Sequence, residues 1–142
     1  MTTKVEIVQE YFARIDKGDF ASELFTKSFQ FYYPKFGTGV GAEEFAELAS
    51  GIMSSIQRST HHLDEFEFVE SESRVVVEGT TEGADGHGVG WHGGRTRGGR
   101  FCSVFAFNAD GLIERMRIYS DPDPTGEDTA RFRWPGRAPA NW

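Results

Sequence analysis

The sequence predicts an α+β domain in which helices come first and a largely antiparallel sheet follows. Helical spacing of apolar residues is confined to the chain before Gln57, and from Thr60 onward β-branched and aromatic runs alternate with turns. Composition agrees. Hydrophobic residues make up 38% and aromatics 14% of 142 residues, with 13 Phe, which suits one domain with one ring-rich core.

From Thr3 to Lys17, Val5, Val8, Phe12 and Ile15 recur at helical spacing, and Ile7 and Tyr11 widen the stripe. Gly18 closes this helix, and Asp19 offers a cap for a short second helix through Leu24 and Phe25. Ser28 to Tyr33 alternates and reads as a strand ended by Pro34 and Gly37. A third helix is expected over Gly41 to Gln57, with Phe45, Leu48, Ile52, Met53 and Ile56 inward and Gly51 a weak point. Strands are expected over Thr60 to Val69, Arg74 to Glu82, Arg100 to Asn108 and Leu112 to Ser120, the last two joined by a hairpin at Ala109-Asp110-Gly111. Gly83 to Gly99 holds eight of the 17 glycines and is expected to be a mobile hairpin end or a bulged, bent strand. The domain is placed at 1–123. The tail, 124–142, is expected to be partly extended or to wrap the domain through Phe132, Trp134 and Trp142.

A formal net charge of -7 argues against nucleic acid or an anionic membrane surface as partner, because affinity for phosphate rests on Lys and Arg. Arg95, Arg97, Arg100, Arg131, Arg133 and Arg137 read instead as solvated surface or local ion pairs. The single Cys102 has no internal disulfide partner, no signal-peptide pattern opens the chain, and nothing approaches the roughly 20 apolar residues of a membrane span. A soluble, cytoplasmic protein is expected.

Three motif-like stretches carry little. Gly88-Val-Gly90-Trp-His-Gly93 has dinucleotide-type glycine spacing without the strand-turn-helix that such a loop needs. Asp121-Pro-Asp123-Pro-Thr125-Gly126 opens like a calcium loop, but Phe132 stands where the closing acid belongs. His61, His62, His87, His92 and Cys102 could gather a metal only if both neighbouring histidines faced one way, which strand alternation opposes. The expectation is therefore no metal and no cofactor. One of His61 or His62 is expected inside, as a packed ring or as a pocket acid or base.

The element order, with Tyr11-Phe-Ala-Arg-Ile-Asp-Lys-Gly-Asp19, Phe31-Tyr-Tyr-Pro34 and Asp110-Gly-Leu-Ile-Glu-Arg-Met-Arg-Ile-Tyr119, resembles the nuclear transport factor 2-like superfamily, nearest its SnoaL-like and ketosteroid isomerase-like branches. The resemblance implies a cone-shaped domain with three N-terminal helices packed on a strongly curved, mixed, largely antiparallel sheet around a ligand-sized pocket. It implies homodimer formation through the outer sheet face. Tyr11 matches the tyrosine that donates to an enolate oxygen in ketosteroid isomerases, an oxyanion site that is a standard example of its kind. The two carboxylates of that enzyme match Tyr33 and Arg100 here, and the last-strand carboxylate of polyketide cyclases and epoxide hydrolases of this fold matches Ile118, with Asp121 three residues on.

Two functional readings follow, and a third stands beside them. In the first, a cofactor-free enzyme acts on a small, mainly apolar, oxygen-bearing molecule, with Tyr11, Tyr33, His62, Arg100 and Asp121 as catalytic candidates and Phe31, His61, Met116 and Ile118 lining the ligand. In the second, the pocket binds a small apolar or amphipathic molecule without chemistry. The third is a dimeric interaction module, expected if Phe side chains fill the interior.

Overall fold

A computed structural model of the protein describes residues 1–129, 131 and 132; the expectations for Trp134 and Trp142 lie outside them. The first helix, α1 (Lys4–Ile15), opens with a reciprocal cap. Thr3 Oγ1 accepts the Glu6 N–H at 3.1 Å while Glu6 Oε2 accepts the Thr3 N–H at 2.7 Å. It closes at Gly18, whose φ of 81° is left-handed.

The expected second helix is a single 3-10 turn, Ser22–Leu24, so the described residues form two α-helices instead of three. Asp19 does act as a cap, its Oδ1 accepting the Ala21 N–H at 3.0 Å, but the strand character that begins at Phe25 leaves room for one turn only. Arg14 ties the connection down. It pairs with Asp19 at 2.7 Å, with Glu10 at 3.1 Å and with Glu23.

Strand β1 (Phe25–Tyr33) starts three residues before its expected position and pairs antiparallel with a short strand the sequence reading missed, β2 (Gly37–Val40). Helix α2 (Gly41–Ser55) follows at once. The stretch expected as one strand from Thr60 to Val69 is broken. It forms β3 (Ile56–His61), a 3-10 turn at Leu63–Glu65 and β4 (Glu67–Glu70), because His62 leaves the extended conformation and its carbonyl accepts the Glu65 N–H at 3.0 Å. The remaining strands are β5 (Arg74–Asp85), β6 (Gly90–His92), β7 (Arg100–Phe107) and β8 (Ile113–Ser120).

These eight strands form one mixed sheet in the order β2-β1-β8-β7-β5-β3, with β4 and β6 also on β5. Only the β1–β8 pair is parallel. The β7–β8 hairpin turns as expected, with Asn108 Oδ1 accepting the N–H groups of Asp110 and Leu112 and Gly111 at φ 80°.

Strand β5 explains the glycine-rich stretch. Its first half lies between β4 and β7, and its second half lies between β3 and β6, so of the two expectations the strand is the one found as far as Asp85, with a register shift against β3 between Ile56 and Arg58. Glycine permits the close approach: a Cβ on Gly83 would stand 2.2 Å from the Arg58 carbonyl oxygen and 2.5 Å from the Trp91 ring.

One face of the sheet carries the core. Val75 and Val77 of β5, Phe101 and Phe105 of β7, Met116 of β8 and Phe29 and Phe31 of β1 are all buried there against Val8, Tyr11 and Phe12 of α1 and Phe45 of α2. Beyond β8 the chain packs on the domain: the Pro124 carbonyl sits where a Cβ of Gly98 would be, and Asp128 pairs with Lys35. Phe132, expected to wrap the domain, is 63% exposed. Among the described residues, no helix is long and apolar enough to cross a membrane.

Candidate active site

Strand register decides which histidine faces inward. His61 lies directly opposite Thr81, in the odd-numbered row of β5 that also holds Val75 and Val77, so its ring enters the core face. It sits edge-on to Phe12 and Phe101, with centroids 4.8 and 5.1 Å away. His62 follows the even-numbered row to the opposite face, where Nδ1 meets Thr80 Oγ1 at 2.6 Å. The inward histidine is therefore His61, whereas His62 stood among the catalytic candidates.

The partner of His61 is Asp16, which caps the C-terminus of α1. Asp16 Oδ2 accepts the His61 backbone N–H at 2.9 Å and Oδ1 lies 2.6 Å from Nδ1. An ionised carboxylate only accepts, so Nδ1 carries the proton and Nε2 of the neutral ring keeps the lone pair. Among the described residues no side chain hydrogen-bonds that Nε2. Side-chain exposures of 15% for Asp16 and 23% for His61 leave both groups largely dry yet reachable.

Tyr11 lies one helical turn earlier, wedged between Phe12, Phe25 and Phe105 at centroid distances of 5.1 to 5.6 Å. Burial, and secondarily the negative charge of Asp16, pushes its phenol well above the ordinary value. It remains a neutral donor over the whole working range.

The other candidates fall into separate places. Tyr33 ends β1 on the inner face, where burial raises its phenol, the nearby Ser120 side chain working against this and the Asp121 charge adding to it. Asp121 lies just past β8, where its Oδ2 accepts the Arg100 N–H at 3.1 Å and its own N–H donates to the Arg100 carbonyl at 3.2 Å. Asp121 thus meets Arg100 through the Arg100 main chain, at the end of the β7–β8 pair. Phe31 is packed on Phe29 and Phe45, Met116 is fully buried, and Ile118 is half-buried beside the core. Alternation places Met116, Ile118 and Ser120 on one face, opposite Phe105, Ser103 and Phe101 respectively.

Asp16 is the residue that sequence reasoning passed over. Its signal was modest: a carboxylate five positions after Tyr11 at the end of an amphipathic helix, which only the approach of β3 turns into a pair.

Residues 8–116 match the profile of the SnoaL-like domain. Among solved structures, an NTF2-like protein of unknown function from Burkholderia pseudomallei K96243 superimposes with a TM-score of 0.74 at 18% identity, covering 89% of this chain and 96% of that one. A putative polyketide cyclase from Xanthomonas campestris pv. campestris gives 0.65 at 16% identity over 83% and 90%. SalBIII, an epoxide hydrolase/cyclase-like enzyme in pyran ring formation in the polyether salinomycin, gives 0.64 at 19% identity over 85% and 92%. No curated protein matches the sequence. Identities this low carry the fold alone, but the profile runs from α1 into β8, through the elements that bring Asp16 to His61, and the chain belongs to the SnoaL-like domain family.

Proposed function

We propose that the protein is a cofactor-free acid–base enzyme acting on a small, mainly apolar, oxygen-bearing molecule, with the Asp16–His61 pair as its proton-transfer group. The observation that carries this reading is the two-point hold of one carboxylate on one histidine, through main-chain N–H and Nδ1, at the edge of the ring cluster. Such a hold fixes the tautomer, presents Nε2 as base, and stabilises the imidazolium that forms when it takes a proton. His61 would accept a proton from a substrate C–H or O–H and return it to the product, which is the common step of isomerisation, cyclisation, dehydration and hydrolysis. Tyr11 and Tyr33 would act as neutral donors toward substrate oxygens, in surroundings where a hydrogen bond counts for more than in water. The names of the polyketide cyclase and of SalBIII are compatible with such chemistry.

Non-catalytic binding is the second reading, favoured by Tyr33 and Arg100 standing where the resemblance puts the carboxylates of the isomerase. A panel of small ketones, epoxides and lactones separates the two. Turnover that falls at least about 100-fold in both His61→Gln and Asp16→Asn, as expected for loss of a general base, supports the enzyme. Turnover retained in His61→Gln, or ligand binding without turnover across the panel, overturns it.

A further inference from the structure

On the opposite face of the same strands lies a second cluster with different chemistry. Glu82 of β5 pairs across the sheet with His92 of β6, and their side chains meet at 2.8 Å between Oε2 and Nδ1. His62 reaches the same carboxylate oxygen from the end of β3, with Nε2 at 3.4 Å, and its ring lies 4.6 Å from that of His92. One ligand atom from each of the three residues lies within 4.8 Å of the others.

The hydrogen bonds around His62 make the arrangement informative. Thr80 Oγ1 lies 2.6 Å from His62 Nδ1, and the same hydroxyl lies 3.4 Å from Glu65 Oε2. The Glu82 carboxylate is faced by the other ring nitrogen of His62, Nε2. That atom is buried and, among the described residues, has no hydrogen-bond partner. A buried ring nitrogen without a partner, set beside a carboxylate that also meets a second imidazole, is placed as metal ligands are.

We propose that His62, Glu82 and His92 bind one divalent transition metal, zinc in first place, with a fourth position open to solvent. Two imidazoles and one carboxylate are the ligand set of zinc sites that keep an open position, and they suit borderline metals better than magnesium or calcium, which prefer oxygen. Zinc–ligand bonds of about 2.0–2.1 Å in a tetrahedron put ligand atoms about 3.3 Å apart. The 3.4 Å separation already meets this, the 2.8 Å one opens as the metal displaces the His92 proton, and rotation of the side chains closes the widest.

Supporting contacts are also in place. Thr80 holds the His62 ring through Nδ1, as outer partners of metal-bound histidines commonly do. Thr96 Oγ1 accepts the His92 N–H at 3.0 Å, and Trp91 Nε1 donates to Thr81 Oγ1 at 3.0 Å, so the strand bearing His92 is pinned on both sides. Glu82 and His92 also border a groove of about 660 Å³ shared with Arg58, Thr60 and Trp91, which gives the open position access to water or a small anion.

The test uses the tag-free full chain, stripped with a chelator and titrated with zinc chloride by calorimetry. Expected are one zinc per chain, reversal by chelator, and no comparable uptake of magnesium. Glu82→Gln and His92→Ala should each weaken zinc at least about 100-fold and Thr80→Val about 10- to 100-fold, while His87→Ala, altering an exposed histidine outside the cluster, should bind as the parent does. Circular dichroism verifies that each variant is folded. On the unaltered chain, cobalt(II) should give the intense visible bands of a four-coordinate site. No zinc uptake, uptake unchanged in folded Glu82→Gln and His92→Ala, or the pale spectrum of six-coordinate cobalt would each overturn the assignment.

Discussion

His61 and His62 are neighbours in sequence and occupy two different chemical environments. On the inner side, His61 meets one carboxylate and three phenyl rings, of Phe12, Phe66 and Phe101. On the outer side, His62 meets Thr80, Glu82 and His92, within reach of an open groove. The difference comes from the period of a β-strand, which sends successive side chains to opposite faces. The inner environment suits a base whose proton is held by a single acid. The outer one suits a shared cation.

The comparison can be broken most forcefully from the inner side. Phe101→Ala removes a ring that touches His61, Phe12 and Phe66 and should cost about 3–5 kcal/mol. Chemical denaturation measures this loss, and zinc uptake by the remaining folded protein should persist. Equal loss of both properties would mean that the two faces are not independent.

Gly83→Ala attacks the half of β5 that carries β3 and β6, next to both histidines of the outer cluster. The new Cβ would collide with the Arg58 main chain and the Trp91 ring, so β3 and β6 must shift on β5, at a cost of about 1–3 kcal/mol. Zinc affinity should fall with stability, and the near-ultraviolet circular dichroism should change as the Trp91 ring moves. A neutral substitution would show that the three strands have more room than the structure allows.

The smallest effect sharpens the inner side alone. Tyr11 has its phenol raised by burial, so its neutral form contributes stability that is fully present below about pH 10 and lost as pH rises through its higher folded value. Tyr11→Phe should fold normally and lose ligand affinity or turnover. It should also lack the most alkaline step in phenolate absorbance and part of the alkaline destabilisation. An unchanged titration would contradict the burial of that hydroxyl.

Most of the architecture was legible because it rests on short-range pattern. The stripe around Val8 and Phe12, the alternation of β7 and β8 and the Asp110-Gly111 turn each need only a few neighbouring residues to be read, and all appear in the fold. The misreadings arose where local propensity met a tertiary limit. Asp19 capped a turn that could not lengthen into a helix, and the strand expected from Thr60 to Val69 broke at His62.

The sequence by itself determined the helical and strand segments, the ring-rich core and the fact that His61 and His62 must part. Which way each would face, and which acid each would meet, only the tertiary structure decided. Asp16 and His61 are 45 residues apart, and Glu82 joins histidines from two different strands. Alternation fixes relative orientation along one strand, but its absolute sense depends on register with β5 and on the helix that packs above, and those are set by contacts across the whole chain.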